Sequence, residues 1–543
     1  MKRFFSFVAV LFVFAVLPAF GQVKERPIPR LVEKDGRYAL LVDDAPYFVL
    51  GAQVNNSSGW PAMFPKVWPA LEFMHANTVE IPVYWEQFEP RQGQYDYTVV
   101  DTLLAQARAH QMRLVLLWFA TWKNGSHHYM PAWMKLDPER YAHLVDKNGQ
   151  PVDSPSPFAT ASLEADTRAF TALMRHLKTA DPQRTVIMVQ VENEPGTWGA
   201  LRDYSPAAQK LFEGPVPADI LKAMNVHSGA SSPSWEGAFG PEAEVNFHAW
   251  AVAKYVGQVA AAGKAVYRLP LYANAALRDP IKPGAPGSYE SGGPTYNVIP
   301  IWKVAAPALD MVSPDNYNTS AAAYVRVLEL YQRDDNALFI PETGGSPRLF
   351  FFALGHQAIG FSPFGIDFTR IHTIPDATRP KDELLTPWAL TGTREFAAPF
   401  EPTYRLIAPM ARDIARWNFE GKLQAVAEVQ GNLTESLRFG EWDASISYGV
   451  WERNGRPAGN PKPMGGALVA QLAGNQFLVA GFYCRVDFRP TAPGKRRQFL
   501  RVEEGIYENG AFKFQRVLNG DQTDGGLDFS SEPLVLRVSV ASY

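Results

Sequence analysis

The chain has 543 residues, 46% apolar and 20% charged, enough for two or more globular domains with sizeable cores. A formal net charge of −3 gives no electrostatic footprint for nucleic acid. The one cysteine, Cys484, excludes an internal disulfide, and no segment beyond the leader approaches the roughly twenty apolar residues of a membrane span.

Residues 1–21 read as an export signal. Lys2 and Arg3 precede an apolar run to Val16, and Ala19-Phe20-Gly21 supplies small residues at cleavage spacing. The mature chain is expected to start near Gln22, free of the membrane, in the periplasm or secreted. A short strand is predicted at 38–42. Strand-like runs at 47–52, 78–84, 113–119, 185–191, 271–274, 310–313, 337–340 and 358–361 then alternate with helical patterns. The helical stretches are 65–75, 99–110, 167–179, 247–263, 301–307 and 321–333, with a further one at 399–417 after the last run. Eight runs separated largely by helices predict an α/β fold, a closed parallel (β/α)8 TIM barrel spanning 22–417. No Gly-rich phosphate loop follows the first run, which weakens an open doubly wound sheet. The connections 196–245 and 275–300 are long and rich in Pro, Gly and Ser, and in a barrel they would wall the carboxyl-end face.

After Trp417 the helical period fades. Alternating segments at 423–429, 444–451, 466–472, 476–482, 499–507, 511–516 and 533–540 predict a smaller all-β sandwich over 418–543. Asn454-Gly455, Asn509-Gly510 and Asn519-Gly520 mark turns between several of them. Cys484, between Phe482 and Val486, reads as a buried strand residue.

Two apolar runs end in glutamate. One closes as Val191-Glu192-Asn193-Glu194-Pro195, the other as Ile340-Pro341-Glu342. Carboxylates beside such runs are costly unless pairing or chemistry holds them there. A pair at the carboxyl ends of two barrel strands is the equipment for glycosidic cleavage, Glu194 as proton donor and Glu342 as nucleophile. Asn193 is placed to donate to a sugar hydroxyl. Aromatics at 13%, with 14 Trp and 21 Tyr, suit ring stacking on sugars but equally suit large cores. Trp122 and Trp198, on site-facing loops, are candidate stacking platforms, and Tyr84 could reach a sugar hydroxyl. Trp133 reads as core. His127 and His128 are adjacent rather than at ligand spacing, so no metal site is expected. There is no Gly-x-Ser-x-Gly elbow for an esterase.

The two motifs resemble those of clan A glycoside hydrolases, in which an Asn-Glu pair ends the fourth barrel strand and a nucleophilic Glu ends the seventh. The segment Asn77-Thr78-Val79-Glu80-Ile81-Pro82-Val83-Tyr84-Trp85-Glu86-Gln87-Phe88-Glu89-Pro90, followed by Gly93-Gln94-Tyr95-Asp96-Tyr97, is similar to the second-strand signature of family 35 β-galactosidases and their family 42 relatives. Within family 35 it most resembles bacterial members with an appended β-domain. Tyr317, in Ser313-Pro314-Asp315-Asn316-Tyr317, resembles the clan tyrosine that hydrogen-bonds the nucleophile. The chain departs where many members carry Trp-Asn-Leu-His-Glu-Pro, having Trp85-Glu86-Gln87-Phe88-Glu89-Pro90. Where members carry Ala-Glu-Trp, whose Glu holds galactose, it has Phe119-Ala120-Thr121-Trp122-Lys123 with no carboxylate. The resemblance implies a cofactor-free retaining exo-β-glycosidase, a β-galactosidase removing terminal galactosyl residues from plant-derived oligosaccharides such as xyloglucan side chains. An endo-acting clan A β-glycanase and a catalytically silent carbohydrate-binding protein are the alternatives.

Overall fold

The computed structural model describes residues 25–226, 233–369, 391–449 and 457–543. The leader at 1–21, the Asn454-Gly455 turn and the last two residues of the strand expected at 444–451 lie outside them. Eight parallel strands close into a barrel: Val49–Gln53, Thr78–Tyr84, Arg113–Lys123, Val186–Asn193, Leu271–Ala275, Met311–Asn316, Ile340–Thr343 and Gly360–Pro363. They are called the first to eighth barrel strands below. Closure is made by Gly360 and Phe361 of the eighth against Val49 and Leu50 of the first. Every predicted run overlaps its strand, but the seventh sits three residues later than expected. Pro341 brings no N–H to the ladder. Beside the predicted start of that run, the amide side chain of Asn336 takes over, accepting from Val312 N at 2.9 Å.

The covering helix Thr160–Ala180 buries one stripe, while Ala243–Val266 and Leu349–Gly355 are buried over most of their surface. In Thr160–Ala180 the stripe runs Ala165, Ala169, Leu173 and Leu177, four residues apart, with Phe170 and Met174 beside it. At the amino end of the barrel the antiparallel strands Arg30–Lys34, Arg37–Val42 and Ala45–Tyr47 form a small sheet. Leu40, Val42 and Tyr47 share a core with Val115, Ile187 and Phe339 from inside the barrel, so this sheet plugs that mouth and leaves the carboxyl end for chemistry.

Beyond the helix Ala411–Phe419 come two antiparallel sheets. Six strands pair in the order Leu423–Ala427, Gly466–Ala473, Gln476–Phe482, Leu534–Ser542, Arg497–Glu508, Ala511–Leu518. Four more, Thr434–Phe439, Trp442–Tyr448, Cys484–Pro490 and Leu527–Phe529, make the second sheet. Within the six-stranded sheet, Gly466–Ala473 and Gln476–Phe482 are buried on both faces over most of their length, and their period of two sorts their residues. Ala467, Val469, Phe477 and Val479 pack on the second sheet, while Leu468, Ala470, Leu478 and Ala480 join the core of the barrel.

Candidate active site

Glu342 sits near the end of the seventh strand with its residue 5% exposed. Three neutral donors from three different strands orient its carboxylate. Gln53 Nε2, at the end of the first strand, and Asn193 Nδ2, at the end of the fourth, donate to Oε1 at 2.8 and 3.2 Å. Tyr317 OH, just past the sixth, donates to Oε2 at 2.8 Å. A carboxylate is an acceptor only, so a ring of donors fits it without competition. Burial and the neighbouring Glu342 raise the Tyr317 phenol well above its usual range, so this tyrosine stays a donor.

The fourth strand ends in an unusual backbone. Glu192 and Glu194 both lie in the left-handed region, at φ 63° and 42°, which non-glycine residues adopt at a cost and mostly at functional sites. In a regular strand, consecutive side chains face opposite sides. Here the break lets Glu192 turn outward while Asn193 and Glu194 both face the barrel mouth. Outside, Glu192 Oε2 accepts from Trp122 N at 2.7 Å and shares a hydrogen bond with buried Asp166. Burial and the Asp166 charge raise Glu192 well above the carboxylate range, so it holds a proton between the two. Inside, Glu194 N donates to Asn274 Oδ1 at 2.9 Å, and Asn274 Nδ2 donates to Asp315 Oδ2 at 2.6 Å. Burial first, and the charge of Glu342 second, push the Glu194 carboxyl up to about 7, against opposing pulls from Lys123 and a hydrogen bond to Asp315. Asp315 is itself raised well above its usual value by burial and by the Glu342 and Glu194 charges, so it serves as the protonated donor of that bond.

Of the other residues expected at a substrate, Asn193 keeps one atom free: its Oδ1 is buried with no partner among the described residues. Trp198 is 50% exposed on the loop after the fourth strand. Tyr84 and Trp122 are corrected to packing roles. The Tyr84 hydroxyl donates to Asn56 O at 2.7 Å and accepts from Gly59 N at 2.9 Å, which uses it to pin the loop after the first strand. The strand alternation carries Trp122 outward, where its ring meets Tyr255 of the helix Ala243–Val266 at 4.8 Å. Besides Trp198, Trp60 also reaches solvent, 41% exposed and stacked on Tyr84 at 5.4 Å.

Four site residues escaped the sequence reading: Gln53, Asn274, Asp315 and Glu290. Gln53 and Asn274 are single polar residues at the ends of apolar runs, and that position was the available signal; Asp315 stands in the polar stretch Ser313-Pro314-Asp315-Asn316, just past the run. Glu290 lies in a long connection and gave none. Its carboxylate is buried with both oxygens unpartnered among the described residues, and burial and the Glu194 charge raise it well above its usual range. Two glycines make its space: a Cβ on Gly125 or Gly196 would lie 2.6 or 2.9 Å from Glu290 Oε1. Thr197 N→Ser291 O at 2.8 Å and Ser291 N→Thr197 O at 3.0 Å lock its segment to the chain just after Glu194. Among the described residues no three His, Cys, Asp or Glu side chains are grouped to hold a metal ion, and no helix is long and apolar enough to cross a membrane.

A closed (β/α)8 barrel with an oriented glutamate on the seventh strand and a proton-holding glutamate after the fourth defines a class, the barrel-type glycoside hydrolases. Residues 66–265 match the family model of glycoside hydrolase family 42, described as Beta-galactosidase. That stretch takes in Asn193 and Glu194 and ends before Glu342. The assignment to family 35 drawn from the second strand is not supported; family 42, its relative, is indicated instead. Residues 400–530 match a domain of unknown function, DUF5597. No curated protein matches. Among solved structures, the β-galactosidase of Rahnella sp. R3 is similar at 14% identity and TM-score 0.46, over 69% of this chain and 61% of that one. That of Marinomonas ef1 is similar at 14% identity and TM-score 0.47, over 68% and 61%. That of Bacillus circulans sp. alkalophilus gives 10% and 0.48 over 91% and 99%. The chain thus spans about three-fifths of the first two, and likenesses this distant bear on neither activity nor substrate.

Proposed function

We propose that the chain is a retaining exo-β-glycosidase that removes terminal β-galactosyl residues from oligosaccharides. The observation that carries this reading is the division of labour between Glu342 and Glu194. Glu342 is an acceptor held by three neutral donors, the disposition of a nucleophile. Glu194, pushed up to about 7, keeps a proton to give at neutral pH. In the first step a Glu342 oxygen attacks the anomeric carbon as the glycosidic bond breaks, and Glu194 gives its proton to the departing oxygen. In the second, Glu194 takes a proton from water, whose oxygen displaces Glu342 and restores the original anomeric configuration. The galactosyl preference rests on the family 42 match. The apolar leader supports action after export.

The test is a panel of p-nitrophenyl glycosides in both anomers, with proton NMR of the first product. Release from the β-galactoside with the β-anomer appearing first is the expected result. The α-anomer first would refute the double displacement. Glu342→Gln should lower turnover by about a thousandfold or more with the circular dichroism spectrum unchanged. Near-normal activity in that variant would remove Glu342 from the role.

A further inference from the structure

Strand alternation at the end of the fourth barrel strand is broken twice, and something must hold the breaks. Val189 and Val191 pack in the core on the helix side, while Met188 lies inside the barrel. A regular strand would therefore turn Glu192 inward and Asn193 outward. Glu192, in the left-handed region, reverses both. A second left-handed residue, Glu194, keeps its own side chain beside Asn193 at the barrel mouth. Residues other than glycine stay in that region only where their surroundings over-determine them.

The outward side supplies such surroundings. Glu192 and Asp166 are both fully buried there. Glu192 Oε2 accepts from Trp122 N at 2.7 Å, which ties the fourth strand to the third. Two carboxyl groups hydrogen-bond only through a proton on one of them, and burial and the Asp166 charge leave that proton on Glu192. Asp166, on the helix Thr160–Ala180, is fixed in turn by Trp118 Nε1 at 2.9 Å and Thr121 Oγ1 at 2.6 Å. Tyr255 faces the pair from the helix Ala243–Val266, its hydroxyl 2.9 Å from Thr121 Oγ1; burial holds this phenol well above its usual range, so it stays neutral. On the inward side the same two breaks bring Asn193 Nδ2 to Glu342 Oε1 at 3.2 Å and Glu194 N to Asn274 Oδ1 at 2.9 Å.

We propose that Glu192 is a positioning residue of the glycosidase: paired with Asp166, its carboxyl clamps the broken strand end and so sets Asn193 and Glu194 against Glu342. The inference rests on the glycosidase reading and adds to it a third glutamate, one that touches no substrate. The clamp needs a neutral side chain that accepts from Trp122 N and donates to Asp166. Glutamine has the same shape and both functions, its Oε1 for the first and its Nε2 for the second. Leucine has neither, and aspartate is one methylene too short to span both partners.

The test compares Glu192→Leu with Glu192→Gln on p-nitrophenyl β-galactoside across pH. Glu192→Leu should lower kcat by about a hundredfold, as a misplacement near 1 Å does, with KM changed less than about threefold. That variant also releases Glu194 from its buried setting, so the alkaline limb should move down from about 7 toward the ordinary carboxylate value. A side chain that only stabilised the fold would leave the limb in place. Glu192→Gln should restore kcat to within about threefold of the native chain and keep its limb. A folded Glu192→Leu that keeps either its turnover or its limb, or a Glu192→Gln as slow as Glu192→Leu, would overturn the proposal. Glu192→Asp, with the same expectations, takes the place of Glu192→Leu if that chain fails to fold. If the native enzyme turns over no glycoside, it is the glycosidase reading that has failed. Crystal structures then still decide on the clamp. The bond from Asn193 to Glu342 should be lost in Glu192→Leu or Glu192→Asp and kept in Glu192→Gln, and its persistence in the former would overturn the proposal.

Discussion

In the reaction proposed above, Glu194 must hold a proton when substrate arrives and take one from water in the second step, so its titration sets the alkaline limb of the rate. Burial and the Glu342 charge push it up to about 7, which predicts that kcat/KM falls tenfold per unit as pH rises beyond about 7. Lys123 pulls in the opposite direction. Lys123→Met should therefore move that limb to higher pH, and a limb that moves down would contradict the placement of this cation. The same shift costs stability. Glu194 ionises near 4.5 in the unfolded chain and near 7 in the fold. Between those values the folded state keeps a proton that the unfolded state has released, so stability falls as pH rises through the window. Glu194→Gln has no such proton. It should melt at a higher temperature than the native chain at pH 8 and gain little at pH 4, read by scanning calorimetry; equal gains at both would refute the argument. The glutamates were legible because each interrupts an apolar run where a structural carboxylate has no business. Glu290 was not, because its environment is made by two glycines and a bridge from other parts of the chain. Tyr84 read as a substrate contact from its place at a strand end, and Trp122 from a loop expected after 119; the third strand in fact runs on to Lys123, and its alternation turns Trp122 outward.

At the scale of elements, the barrel strands were found because apolar runs of four to eight residues alternate with helical stripes. The sandwich was found less completely. Between 476–482 and Cys484–Pro490 the apolar pattern is nearly continuous, yet Tyr483 at φ 51° swings the chain from one sheet to the other, so one visible run becomes two strands. Thr434–Phe439 buries only Leu437 and Phe439, too little alternation to stand out. The helix Leu349–Gly355 shows how tightly the elements meet. A Cβ on Gly355 would lie 2.2 Å from Ala425 O in the facing strand Leu423–Ala427. Backbone cannot retreat as a flexible side chain can, so Gly355→Ala should destabilise the protein by about 1–3 kcal/mol in urea denaturation. A loss below about 0.5 kcal/mol would show that this contact relaxes freely.

Across the whole molecule, that contact belongs to a continuous core. Phe351 of the Leu349–Gly355 helix packs edge-on against Phe482 of the six-stranded sheet at 5.4 Å. Leu468, Ala470, Leu478, Ala480 and Val535 lie in the same cluster as the barrel residues Phe350, Leu354 and Trp417. The helix also follows the seventh strand, which carries Glu342. Docking of the sandwich therefore buttresses the segment that follows Glu342, the nucleophile of the proposed reaction. Two domains joined by a polar, wet interface would melt separately. An apolar interface shared with both cores couples them, and the full chain is expected to unfold in one calorimetric transition. Ending the chain at residue 419 would expose Phe351 and its neighbours as an apolar patch, the kind that drives association. The shortened barrel should be recovered as aggregate, or as a soluble species with a lower melting temperature and weakened turnover. A shortened chain that stays monomeric, melts with the full-length protein and cleaves at the same rate would show that the sandwich lends the barrel nothing.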